Sequence, residues 1–100
     1  MTVIRIFYSA VDPSDSDTVR RIFVEDVRPA FESAGCEQIE LLVNTEPSAG
    51  GLLEGVVISR WPSMGAVEAA LGSRSVAESL VRVRQMLRLE PITRTFEVLE

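Results

Sequence analysis

The side chains able to do chemistry in this 100-residue sequence are carboxylates, one tyrosine (Tyr8), ten basic residues that are all Arg, and scattered hydroxyls and amides. There is no His, so imidazole serves neither as general base nor as haem or zinc ligand. The absence of Lys removes Schiff-base chemistry and Walker-type phosphate handling. Cys36 is the single cysteine, which excludes an intramolecular disulfide framework and a thiolate cluster and suits a reducing compartment. With no visible neighbour to lower its pKa, it reads as a small buried apolar residue. Any reaction here runs on Arg, carboxylates, Tyr, polar groups and the substrate's own electronics, with neither cofactor nor metal expected.

The composition, 46% hydrophobic and 25% charged, is that of one globular domain spanning residues 1–100. A formal net charge of -5 makes nucleic acid a poor partner. No run approaches the roughly 18 apolar residues of a membrane span, and the chain begins on a strand-like pattern, so no membrane association and a cytoplasmic location are expected.

Val3 to Ala10, rich in β-branched and aromatic types, reads as a first strand closed by Asp12-Pro13-Ser14. Val19, Ile22, Phe23, Val27, Ala30, Phe31 and Ala34 recur at helical spacing, with caps available from Ser14 to Asp17 and a stop at Gly35. Pro29 should kink or divide that helix near Arg28. Glu37 to Asn44 alternates as a second strand, Glu46 to Gly51 is a loop, and Leu52 to Trp61 reads as a third strand. Ser63 can cap a short helix through Leu71. Ser75 and Glu78 have capping-box spacing before a stripe of Val76, Leu80, Val83 and Leu87. After Pro91 a closing strand alternates from Ile92 to Val98. The order βαββαβ implies an α+β, ferredoxin-like fold: a four-stranded antiparallel sheet with both helical connections on one face.

Strand parity divides the sheet residues into two sets. Ile4, Ile6, Tyr8, Ile39, Leu41, Val43, Val56, Ile58, Phe96 and Val98 form an apolar set suited to packing under the helices. The second set, expected to face away from them, mixes Arg5, Ser9, Glu40, Asn44, Ser59, Thr93, Thr95 and Glu97 with Phe7, Leu42, Val57 and Trp61. A face this apolar calls for a cover, and a second copy of the chain is the simplest. Its polar members would then orient a ligand. Alternatively, Arg5 and Glu97 form a cross-strand ion pair while Phe7 and Leu42 seal a dimer with no ligand.

The segment Val57-Ile58-Ser59-Arg60-Trp61-Pro62-Ser63, followed by Ala66 to Leu71, Leu87 and Thr95-Phe96-Glu97-Val98, resembles the antibiotic biosynthesis monooxygenase family, and Gly35-Cys36 before the second strand fits as well. The resemblance implies a homodimeric α/β barrel with a pocket between sheet and helices, and oxidation of anthrone-type aromatics by O₂ without flavin, metal or haem. An electron-rich phenolic ring, once ionised, can itself reduce O₂, so the protein need only bind it, favour its anion and keep the site dry. In that reading the partner is a small aromatic metabolite. Trp61 stacks on its ring, or else plugs the space between sheet and helix. Asn44 and Ser59 hydrogen-bond its oxygens, Phe7 and Leu42 contact it, and Arg82, with Arg5 as the sheet-side alternative, stabilises the enolate. Arg82, Arg84 and Arg88, with Glu78 and Glu90, also read as a solvated helix face with local ion pairs.

The sequence departs from the polyketide-oxidising branch at Val57 and Val67, where that branch carries Asn and Tyr. It departs from the haem-degrading branch in lacking His and in having Ala69 where a second Trp stands. A non-catalytic dimeric metabolite-binding or accessory module is the alternative. A cofactor-free cyclase or isomerase is another, and would need Glu40 or Glu97 as acid or base.

Overall fold

The computed structural model describes every residue except Pro47, Ala49 and Glu100. The two loop positions of the segment Glu46 to Gly51 therefore lie outside the described residues. Strands β1 (Val3–Val11), β2 (Gln38–Val43), β3 (Leu53–Trp61) and β4 (Ile92–Glu97) form one antiparallel sheet in the order β2-β3-β1-β4. Helices α1 (Ser16–Ile22), α2 (Arg28–Ser33), α3 (Met64–Leu71) and α4 (Arg74–Arg84) cover one of its faces. This is the expected α+β ferredoxin-like architecture, and its smallest dimension of 19 Å is that of a sheet with one helical layer.

The first helical region is divided, and Pro29 is the cause. A 3₁₀ turn over Pro13–Asp15, capped by the Asp12 carboxylate accepting from Ser14 N–H, leads into α1. The backbone then widens into a π turn over Phe23–Val27, in which the Arg28 N–H donates to the Phe23 carbonyl. This extra residue per turn places Pro29 in the first turn of α2, where its missing N–H is no loss. It also keeps Phe23, Val27 and Phe31 buried on one line. Gly35, at φ +106, ends α2 in a conformation that side chains with a Cβ resist.

Two local expectations change. Ser63 does cap α3, accepting from Ala66 N–H at 3.1 Å. The Ser75–Glu78 capping box does not form. Here α4 starts one turn's fraction earlier, with Ser73 at its N-cap, and Glu78 pairs instead with Arg74, four residues before it, at 3.1 Å. Leu87 lies beyond the end of α4, where it bridges Val11 and helps fasten the approach to β4 against β1.

The larger correction concerns the sheet faces. In β1, β3 and β4 the parity is the reverse of the expectation. Val3, Arg5, Phe7 and Ser9 of β1, and Val57, Ser59 and Trp61 of β3, lie on the helix side, in register with one another and with Glu97, Thr95 and Thr93 of β4. Ile4, Ile6, Tyr8, Val56, Ile58 and Phe96 lie on the outer face. Strand β2 follows the expectation: Ile39 and Leu41 turn inward opposite Ser59 and Val57, and Glu40 and Leu42 turn outward opposite Ile58 and Val56. The reversal has a physical reason. Both faces are apolar, so hydrophobicity alone does not distinguish the one under the helices. The bulky Trp61 and Phe7 fill the sheet-helix space, while Arg5 and Ser59 are carried inward with them by register.

Candidate functional site

The inward residues of β1, β2 and β3 meet the helices around a small chamber. Its floor is Arg5, Phe7, Leu41 and Val57, and its roof is built from Val19 of α1, Phe23 and Val27 of the π turn, Phe31 of α2, and Leu80 and Val83 of α4. The free space is about 30 Å³, and a neighbouring void beside Ser9 and Leu53 adds about 50 Å³. Val19 and Leu41 wall off both from an open groove of about 590 Å³. That groove runs between α1 and the β2–β3 end of the sheet, with Asp17, Arg20, Arg28 and Glu54 at its rim. The Arg28 guanidinium lies 5.1 Å from the Phe23 ring centroid, at the boundary between groove and chamber.

Arg5 is the one charged group in the chamber wall. It is 6% exposed, and among the described residues no carboxylate, carbonyl or hydroxyl accepts a hydrogen bond from it. Its guanidinium sits 5.9 Å from the Phe7 ring centroid. Burial, and secondarily the charge of Arg84, lower its pKa from the ordinary arginine value, though arginine stays protonated in proteins. The expected cross-strand pair with Glu97 is not formed: Arg5 faces Thr95, and Glu97 faces Val3 two residues away.

The other sequence-derived candidates are distributed around the fold. Trp61 is fully buried, its ring 5.8 Å from that of Phe31 at an interplanar angle of 52°. Its Nε1–H donates to Ser59 Oγ at 2.9 Å. This pair braces α2 against the end of β3 behind the chamber, and neither residue lines the chamber or the groove. Phe7 shares the chamber floor with Arg5. Arg82 stands half-exposed on the outside of α4, its Nε 3.2 Å from Asp26 Oδ2. Leu42 and Asn44 belong to the outer side of the β2–β3 end. There Asn44 Nδ2 donates to Glu54 Oε1 at 3.1 Å, and Tyr8 Oη donates to Glu54 Oε2. Glu40 is exposed and accepts from Gln38, and neither it nor Glu97 lines the chamber or groove.

Cys36 is buried and donates to the carbonyls of Gln38 and Arg60. Burial pushes its thiol pKa up, as befits an unreactive core group. No helix is long and apolar enough to cross a membrane.

Sequence reasoning missed the groove residues Arg20 and Arg28. Helical spacing places Arg28 five residues after Phe23, but only the π turn stacks them. It also missed the burial of Arg5. The available signal was position: a central strand in this topology has helices over one of its faces, so register can carry an Arg there inward with its apolar neighbours.

Comparison with known proteins agrees with this architecture. The chain aligns with the structure of Rv0793 from Mycobacterium tuberculosis at a TM-score of 0.75 and 21% identity, over 100% of this chain and 97% of that one. It aligns with SnoaB of Streptomyces nogalater, described as a cofactor-independent oxygenase, at a TM-score of 0.76 and 14% identity, over 99% and 93% of the two chains. A conserved protein of Methanosarcina mazei Go1 gives 0.75 and 14%, over 96% and 91%. At such identities these likenesses establish the fold. No curated protein sequence matches the chain. The family model for antibiotic biosynthesis monooxygenase matches residues 1–80, and with four-fifths of its length so matched, this chain belongs to the antibiotic biosynthesis monooxygenase family.

Proposed function

We propose that the chain is a cofactor-independent oxygenase of a small electron-rich aromatic metabolite and works as a homodimer. The observation that carries this reading is the chamber: an apolar space between sheet and helices whose one charged lining residue is the largely buried Arg5, adjoining an open groove. Apolar walls exclude water and strengthen the field of Arg5, so a phenolic ring near it would ionise more readily. The ring anion then gives one electron to O₂, and the resulting radical pair joins at carbon to form a peroxide. Loss of water leaves a carbonyl. One oxygen atom of O₂ ends in the product and the other in water, whose hydrogens are the hydroxyl proton lost on ionisation and the C–H of the carbon that becomes the carbonyl, so no external reductant is needed.

In this reading Arg5 takes the charge-stabilising role on the sheet side. Arg82, tied to Asp26, supports the packing of α4 on the π turn. Trp61 and Ser59 hold Phe31 in place behind the chamber. Val57, in the chamber wall, and Val67, in the core, leave no polar group at two positions that are polar in the polyketide-oxidising branch.

The homodimer rests on the outer sheet face. Phe96, Ile92 and Leu42 are 52%, 48% and 45% exposed there, flanking a centre of Ile6 and Ile58. This apolar surface fits the same surface of a second copy.

The test is oxygen uptake by the purified protein with a panel of anthrones and hydroquinones under air. Uptake that falls in Arg5→Met supports the proposal, and none across the panel refutes it. One observation favours a second reading, a metabolite-binding module without turnover: the chamber is now only water-sized and filled by Phe7, Phe23 and Phe31. Binding of panel compounds without oxygen uptake would establish that reading.

A further inference from the structure

The outer sheet face carries a charge pattern as well as hydrocarbon. Register lays its residues in rows across the four strands, and one row reads Glu40, Ile58, Ile6, Arg94 from the β2 edge to the β4 edge. An acid and a base thus stand at opposite rims with two isoleucines between them. The next row, Leu42, Val56, Tyr8, Ile92, has no charge. Glu40 and Arg94 are both exposed, and neither is in an ion pair among the described residues. Glu40 accepts from Gln38 Nε2 at 2.9 Å, and Arg94 Nη1 donates to the carbonyl of its neighbour Thr93 at 3.2 Å.

Two ways of laying a second copy face to face on this surface treat those charges differently. A two-fold axis running across the strands sets each strand on its own counterpart. With the axis on this row, Glu40 meets Glu40 and Arg94 meets Arg94. With the axis beside it, Glu40 meets another residue of β2, which carries no base, and Arg94 meets Ile92 or Phe96 of β4. A two-fold axis running along the strands instead sets β2 on β4 and lays each row on itself reversed. Glu40 then faces Arg94 of the second copy and Arg94 faces its Glu40, while Ile58 meets Ile6 and Leu42 meets Ile92. Facing sheets stand roughly 10 Å apart, a gap that an arginine and a glutamate bridge end to end.

We infer that Glu40 and Arg94 are the self-recognition pair of this chain: two inter-subunit ion pairs, at opposite rims of an apolar seam, that seat the second copy with β2 over β4 and the rows in phase. The inference rests on the homodimer proposed above and goes beyond it by assigning the arrangement and the residues that select it. Rim charges of this kind set orientation and reject wrong partners more than they add affinity. A slip of one row in either direction brings Glu40 onto Phe96 or Ile92 and leaves both charges without a partner. In the same arrangement Ile92 of the second copy closes over Leu42, at the mouth of an open hollow of about 350 Å³ shared with Asn44 and Glu54.

The experiment is sedimentation equilibrium of wild type, Glu40→Arg, Arg94→Glu and the double variant carrying both substitutions, with far-UV dichroism as the check on folding. Each single reversal turns both ion pairs of the dimer into like-charge contacts and should weaken dimerisation by roughly 10-fold or more. The double variant restores the pairs with their signs exchanged and should dimerise within about 3-fold of wild type. Salt at about 0.5 M should narrow the gap between wild type and the single variants, since rim charges are screened. With the axis across the strands, a single reversal changes no attraction into repulsion, so single variants that dimerise like wild type would overturn the inference. A double variant no better than the singles would overturn it too, and in both cases the homodimer itself would stand. Wild type that stays monomeric at millimolar concentration would sink the homodimer reading and this inference with it.

Discussion

Removing the Trp61 indole and the Ser59 hydroxyl together should cost less stability than removing them one at a time would suggest. Both groups are buried and each is the other's hydrogen-bond partner at 2.9 Å. Ser59→Ala strands a buried indole N–H, at roughly 1–3 kcal/mol. Trp61→Phe removes of order 40 Å³ from the contact with Phe31, worth about 1 kcal/mol at the cavity rate plus a similar transfer loss. It also leaves the Ser59 hydroxyl unpaired, adding about 1 kcal/mol. The singles therefore sum to about 5 kcal/mol, whereas the double variant retains only the void and transfer losses, about 2 kcal/mol. Against a domain stability of roughly 5–15 kcal/mol, each single variant still folds. The assay is urea unfolding of the four proteins at one fixed concentration, since dimerisation would make stability concentration-dependent. A double variant as unstable as the sum of the singles would refute the bracing role derived for this pair.

On the outer face, Ile58→Glu places a charge at the centre of the proposed dimer surface opposite Ile6. Sedimentation should show wild-type dimers and monomeric variant with unchanged far-UV dichroism, and a variant still dimeric would refute that surface. Leu41→Ala takes down a wall shared by chamber and groove, so stability should fall by about 2–4 kcal/mol, as urea unfolding would register. Gly35→Ala should cost about 1–2 kcal/mol through backbone strain alone, because open space surrounds a Cβ built there and only its φ of +106 resists, as thermal melting would register. The Cys36 thiol, with its pKa raised by burial, stays protonated when an exposed thiol would ionise. The native protein should therefore resist iodoacetamide at pH 8 and react in urea. Its contribution to stability is complete below the unfolded thiol pKa and declines as pH rises through the higher folded value, so unfolding midpoints should fall on the alkaline side.

What the amino-acid sequence determines by itself is local. β-Branched runs, the Ser63 cap, the proline at 29 and the glycine at 35 act through backbone dihedrals and near-neighbour hydrogen bonds, so they specify the element order and even the division of the first helix. Three outcomes belonged to the tertiary structure. Which side of β1 and β3 lies under the helices depended on register across strands far apart in sequence, because both sides carry comparable hydrocarbon and a one-residue difference in phase exchanges them. The π turn that Pro29 sets up brings Arg28 over Phe23, but only the sheet packed beside them makes their contact part of a groove wall. The burial of Arg5, with no carboxylate paired to it among the described residues, arose only when four separate segments closed over it, and what surrounds a charge is a property that neighbouring letters in the chain do not encode.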